Sequence, residues 1–203
     1  MIFNRIVATS TAVAFVTSAL AQHTGVSLVP GTDTLNNGIG YSLGYEFTVG
    51  SSAINVTSLG YFDHGTLTED HEVGIYDMSG ALLLSGSVAP GTSAVNYFAY
   101  TSSLTGSTAL AANTSYEIMG VSGFVDPYAY FPATFSTDPD ISFVNAQITT
   151  GNTLAFGQFN YSYIGYFGPN FTFETAAPEP VSVCLLGMSA IGLAIRRRMK
   201  PKA

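Results

Sequence analysis

Between residues 41 and 49 the chain alternates with a period of two: Tyr41, Leu43, Tyr45, Phe47 and Val49 are separated by Ser42, Gly44, Glu46 and Thr48. Successive side chains of an extended strand point to opposite faces, so this spacing puts five apolar groups on one side. A helical period would scatter the same groups around a cylinder, and only a strand laid against a second layer buries them together. Further strands are expected at Ile54–Phe62, Val73–Tyr76, Leu82–Val88, Tyr97–Ser102, Tyr116–Val121, Tyr128–Phe135, Ile141–Ile148, Leu154–Tyr163 and Phe171–Phe173. Turn-forming clusters such as Ser79-Gly80, Pro90-Gly91 and Gly168-Pro169-Asn170 separate them. Many short strands with no long helical pattern predict an all-β domain over residues 22–176, an antiparallel β-sandwich or jelly roll.

The basic residues are Arg5, Arg196, Arg197, Arg198, Lys200 and Lys202, so no Lys or Arg occurs from residue 6 to residue 195. Residues 22–176 therefore hold twelve carboxylates against no such cation, a formal charge of -12 with histidine neutral. Binding to phosphate backbones depends on Lys and Arg, which excludes nucleic acid as a partner of this body. No GxxxxGK[ST] loop occurs, and Gly38-Ile39-Gly40 misses the dinucleotide spacing and precedes a strand instead of a helix. The one cysteine, Cys184, lies outside the body, so no disulfide braces the domain and its core must carry it.

Residues 1–21 have the pattern of a secretory signal peptide. Arg5 supplies the positive start, Ile6 to Val16 a mostly apolar run, and Ala19-Leu20-Ala21 the small residues that signal peptidase reads before cleavage after Ala21. A short buried helix is the plain structural alternative. Residues 177–203 combine Pro178-Glu179-Pro180, an apolar run from Val181 to Ile195, and the basic cluster Arg196-Arg197-Arg198 with Lys200 and Lys202. That run suits a single transmembrane helix, although fifteen residues at about 1.5 Å each are short for a hydrocarbon core of about 30 Å, which calls for local thinning or snorkelling arginines. Its basic end marks the cytoplasmic side.

Together these three C-terminal parts resemble the PEP-CTERM sorting signal of exopolysaccharide-producing Gram-negative bacteria. The resemblance implies export, retention in the inner membrane, and processing by exosortase, a membrane-embedded transpeptidase-like enzyme. By that resemblance Pro178, Glu179 and Pro180 are the sorting motif, and Arg196, Arg197 and Arg198 the stop-transfer signal. The alternative is an ordinary single-pass anchor. Within the body, Leu43 to Val49, Val56 to Asp63, His71 to Asp77 and Leu110 to Tyr116 resemble a bacterial extracellular β domain of unknown function. That second resemblance covers roughly residues 41–121 and implies a fold but no activity.

Asp63, His64, Glu69, Asp70, His71 and Glu72 form the densest polar stretch. Loop carboxylates suit calcium, and Asp63, Asp70 and Glu72 are the candidate ligands, although no DxDxDG spacing accompanies them. The second histidine of HExxH is missing after His71-Glu72, and no GxSxG elbow is present. The aromatic residues concentrate in the second half, from Tyr128 to Phe173, where they fit a sandwich core or a sugar-stacking surface. Four sequons, including Asn170-Phe171-Thr172, read as ordinary strand and turn residues.

The sequence thus leads to an exported, non-enzymatic envelope or extracellular-matrix protein associated with exopolysaccharide, with signal peptidase, exosortase and the inner membrane as partners during sorting. The competing expectations are a glycan-binding module and a polysaccharide-active enzyme. Tyrosines grouped in a groove would favour the first, and two carboxylates facing one another across a cleft the second.

Overall fold

The computed structural model describes residues 21–29, 34–35, 39–65, 67–130, 134–162 and 165–175. The expected signal peptide but for Ala21, the sorting motif Pro178-Glu179-Pro180, the Val181 to Ile195 span and Arg196 to Arg198 lie outside them. Among the described residues there is no helix, and hence none long and apolar enough to cross a membrane.

The first strands are β1 (His23–Thr24), β2 (Val26–Leu28), β3 (Thr34–Leu35), β4 (Tyr41–Val49), β5 (Ile54–Phe62) and β6 (His71–Asp77). Next come β7 (Leu82–Val88), β8 (Ala94–Val95), β9 (Phe98–Thr101), β10 (Thr105–Gly106), β11 (Ala109–Leu110) and β12 (Ser115–Val121). The remainder are β13 (Tyr128–Tyr130), β14 (Phe135–Thr137), β15 (Ile141–Thr150), β16 (Phe159–Tyr161), β17 (Tyr166–Phe167) and β18 (Pro169–Thr175). A seven-stranded sheet runs β10-β7-β6-β12-β4-β15-β16, and a six-stranded sheet runs β1-β18-β5-β9-β8 with β11 also on β5. Two small pieces, β17-β13-β3 and β14-β2, complete the antiparallel fold.

The two large sheets enclose one core, the arrangement of a β-sandwich. Tyr45, Phe47 and Val49 of β4 meet Phe171 and Phe173 of β18 and Ile54, Val56 and Leu59 of β5 in that core, and all are buried. The Phe47 and Phe171 ring centres are 4.8 Å apart. Each side chain so buried contributes roughly 1.5–3 kcal/mol against chain entropy, and with no Lys or Arg in the body this apolar contact is the main stabilising term. Gly44 has a steric reason: β4 and β12 come so close that a Cβ there would run into the Ile118 carbonyl oxygen.

Asn170 shows how a polar residue enters the core without cost. Its Oδ1 accepts the Val26 N–H at 3.0 Å and its Nδ2 donates to the Val26 carbonyl at 2.8 Å, so the amide acts as a strand partner for β2. Being fully buried, this sequon asparagine offers no attachment point in the folded protein.

Two of the expected strands differ in the structure. The Tyr128–Phe135 strand is two strands, β13 and β14, which join different sheets. Among the described residues of the expected Leu154–Tyr163 strand, only Phe159–Tyr161 pairs. The segment before it crosses the outer face of the seven-stranded sheet, because glycine and serine leave room there. Leu154 reaches to within 2.9 Å of where a Cβ on Gly74 would lie, and Ser42 Oγ donates to the Ala155 carbonyl at 2.8 Å. The short strands β1, β2, β3, β8, β10 and β11 carry too few residues for a period to register.

Candidate functional site

At the end of the seven-stranded sheet where β4 begins and β15 ends, Tyr41, Ile148, Thr150, Phe159, Tyr161 and Tyr166 line an open groove of about 340 Å³. Strand register builds it: Tyr41 is opposite Thr150, and Ile148 is opposite Phe159. Behind the lining, Tyr166 stacks on Tyr130 with ring centres 5.5 Å apart and planes 29° from parallel. Tyr161 meets Tyr166 edge-on at 6.0 Å. Phe159 is 55% exposed at the groove. The Tyr128 phenol is pushed well above the ordinary tyrosine range, first by burial and then by Tyr166, Tyr41 and Tyr130 nearby, so it stays neutral. With three tyrosines, one threonine hydroxyl and no carboxylate in its lining, the groove can stack on C–H faces and hydrogen-bond hydroxyls.

A buried polar centre lies elsewhere, between the sheets. His71 is fully buried, with Nδ1 2.9 Å from the Val121 carbonyl oxygen and Nε2 3.0 Å from Asp126 Oδ2. Both ring nitrogens thus have an oxygen partner within hydrogen-bond distance. Asp126 also accepts the Thr68 N–H at 2.8 Å, the Thr68 hydroxyl at 2.9 Å and the Glu69 N–H at 2.9 Å. Burial raises its pKa, but those hydrogen bonds and the one from His71 outweigh burial, and the carboxyl is held below its ordinary value. The arrangement is a saturated structural anchor with no open face for a substrate.

A third group forms a row across the outer face of the seven-stranded sheet. Tyr76, Glu117, Glu46 and Asn145 are successive cross-strand neighbours. Glu117 is 1% exposed beneath Gly157, whose N–H it accepts, while Asn145 Nδ2 donates to Glu46 Oε2 at 3.0 Å. Burial above all, with the Glu46 charge adding to it, pushes Glu117 up to about 7 against the opposing hydrogen bond from Gly157. Burial and the charges of Glu117 and Glu72 push the Tyr76 phenol up to about 12.

The residues expected to bind calcium are spread out. Asp63 is buried and accepts the Gly65 N–H at 2.8 Å, closing its own turn. Asp70 is exposed, and Glu72 lines a separate open hollow of about 520 Å³ with Leu82, Ser85 and Thr105. Among the described residues, the group of three ligand-type side chains whose atoms converge is His23, Asp138 and Asp140. The His71 to Asp77 stretch is β6 and its turn: Asp77 Oδ1 accepts the Ser79 N–H at 2.9 Å and the Ala81 N–H at 3.0 Å. Asp126, Glu117, Asp138 and Asp140 carry no motif that would have singled them out. Asp126 and Asp138 each stand beside a proline, where aspartate reads as a turn residue.

No protein-family model matches the chain, and no curated protein sequence matches it.

Proposed function

We propose that this chain is an exported, non-enzymatic protein of the envelope or extracellular matrix, sorted by exosortase and associated with exopolysaccharide. The observation that carries the proposal is the terminal pattern: Ala19 and Ala21 after an apolar run, and Pro178-Glu179-Pro180 before a span closed by Arg196, Arg197 and Arg198. Signal peptidase removes residues 1–21, the span holds the precursor in the inner membrane, and exosortase acts at the proline-glutamate-proline motif. The mature body is an antiparallel β-sandwich at the cell surface or in the matrix. Its acidic, lysine-free and arginine-free surface suits a medium of anionic polymer, where cationic patches would adhere indiscriminately.

The test is the intact mass and location of the protein in producer cells with and without exosortase. We expect a secreted form lacking both ends in the first strain and a membrane-held form in the second. An extracellular protein that still contains Arg196 to Lys202 overturns the sorting proposal.

The tyrosine groove favours a more specific second reading, a glycan-binding module. Tyr41, Tyr161 and Tyr166 with Phe159 offer ring faces and hydroxyls together, and the lining has no charge to repel or attract. The enzyme reading has less support, because Glu117, cross-strand neighbour of Glu46, is covered by Gly157 instead of facing a cleft.

A further inference from the structure

Two segments far apart in the chain bring three ligand atoms together at the edge of the six-stranded sheet. His23 on β1 places Nδ1 2.9 Å from Asp138 Oδ2, and with Asp140 they form a group whose ligating atoms all lie within 4.8 Å of one another. The His23 ring is oriented by stacking on Phe173, with centres 5.3 Å apart and planes 21° from parallel. The Asp138–Asp140 turn is tied down on both sides: the Asp138 N–H donates to the Gly25 carbonyl at 3.3 Å, and the Gly50 N–H donates to the Asp140 carbonyl at 2.8 Å.

The N to O separation of 2.9 Å is a hydrogen bond. Tetrahedral zinc, with bonds of about 2.0–2.2 Å, sets neighbouring ligand atoms roughly 3.4 Å apart, so the pair opens slightly to take an ion within the 4.8 Å span of this group. Electrostatics point the same way. Two carboxylates share this place, and no Lys or Arg occurs between residues 6 and 195 to neutralise them. A divalent ion neutralises both. The imidazole sets its class, since calcium takes oxygen ligands whereas one nitrogen with carboxylate oxygens suits zinc and its first-row neighbours.

We propose that His23, Asp138 and Asp140 bind a divalent first-row transition metal ion, with water completing its coordination. The ion takes the place of the hydrogen bond between His23 and Asp138. It also fastens β1 to the turn that leads into β15. This site is separate from Asp63, Asp70 and Glu72 and does not depend on the sorting proposal.

The test titrates the purified full chain with Zn2+ alone, by calorimetry and by thermal unfolding, with Ca2+ at matched concentrations for comparison. We expect one saturable Zn2+ site and a rise of several degrees in Tm at saturation. Asp140→Asn is the informative variant, since among the described residues the Asp140 carboxylate accepts no hydrogen bond and its loss leaves the His23–Asp138 pair in place. It should weaken Zn2+ by about tenfold or more, while His64→Ala, which removes an exposed histidine elsewhere, should change nothing. Absence of saturable Zn2+ binding overturns the proposal and leaves an ion pair. Undiminished binding in Asp140→Asn, loss of binding in His64→Ala, or equal stabilisation by Ca2+ overturns it as well.

Discussion

The imidazole of His71 lies flat on the ring of Tyr61, with centres 3.8 Å apart and planes 5° from parallel. Tyr61 belongs to the six-stranded sheet and His71 to the seven-stranded sheet, so the stack joins the two layers where Asp126 hydrogen-bonds the imidazole. Removing the carboxylate should therefore cost far more than an ordinary surface change. Asp126→Asn turns one acceptor oxygen into a donor that faces the Thr68, Glu69 and His71 donors. We expect a loss of roughly 3 kcal/mol, as for a broken buried pair, read as a lower midpoint in urea with an unchanged slope. A loss below about 0.5 kcal/mol, the range of neutral surface changes, would refute this role.

The same carboxyl gives the protein an acid limit. Its folded pKa is lowered, so its contribution is present above the unfolded carboxylate value of about 4 and disappears as pH falls through the folded one. Melting curves of wild type and Asp126→Asn should converge toward the acid end and separate above about pH 4.

Glu117 works in the opposite sense. Its folded pKa, about 7, lies above the ordinary glutamate value of 4.5, so its contribution is present below about pH 4.5 and is lost as pH rises through about 7. Glu117→Gln keeps an acceptor for the Gly157 N–H and removes the ionisation. The variant should flatten the decline in Tm between pH 5 and pH 8, about the range over which the carboxyl ionises, and parallel curves for the two proteins would show that Glu117 does not titrate there.

Tyr61 carries a buried hydroxyl with no hydrogen-bond partner among the described residues. Tyr61→Phe keeps the stack on His71 and removes an oxygen that burial leaves unsatisfied, so stability should rise by about 1 kcal/mol. Chemical denaturation measures this directly, and a fall of similar size would mean that the hydroxyl is bonded in solution.

Phe159→Ala tests the groove. The side chain is 55% exposed, so stability should stay within about 0.5 kcal/mol, while binding to the producer's own polysaccharide should weaken several-fold through loss of ring contact. Equal binding by both proteins would remove the groove from the glycan reading.

Trypsin offers a check that depends on sequence alone. No Lys or Arg occurs from residue 6 to residue 195, so digestion of the fully denatured chain should leave the segment from Ile6 to Arg196 in one piece. Mass spectrometry of the digest would expose any internal cut.

What the sequence determined by itself is what local order controls. Alternation along β4 places Leu43, Tyr45, Phe47 and Val49 on the buried face, and β5 and β7 have the bounds that their apolar runs predict. The absence of internal Lys and Arg likewise forces stability onto apolar burial and backbone pairing. Partner choice is another matter, because period two says which face is buried but not which strand lies opposite. Tertiary structure alone brought Asp126 to His71 across 55 positions and His23 to Asp138 across 115. It also laid Leu154 over Gly74 instead of in a strand, and gathered Tyr41, Tyr161 and Tyr166 into one groove. The physical reason is that each of these contacts depends on sheet register and on space left by glycine and serine, quantities that exist only once distant strands have paired.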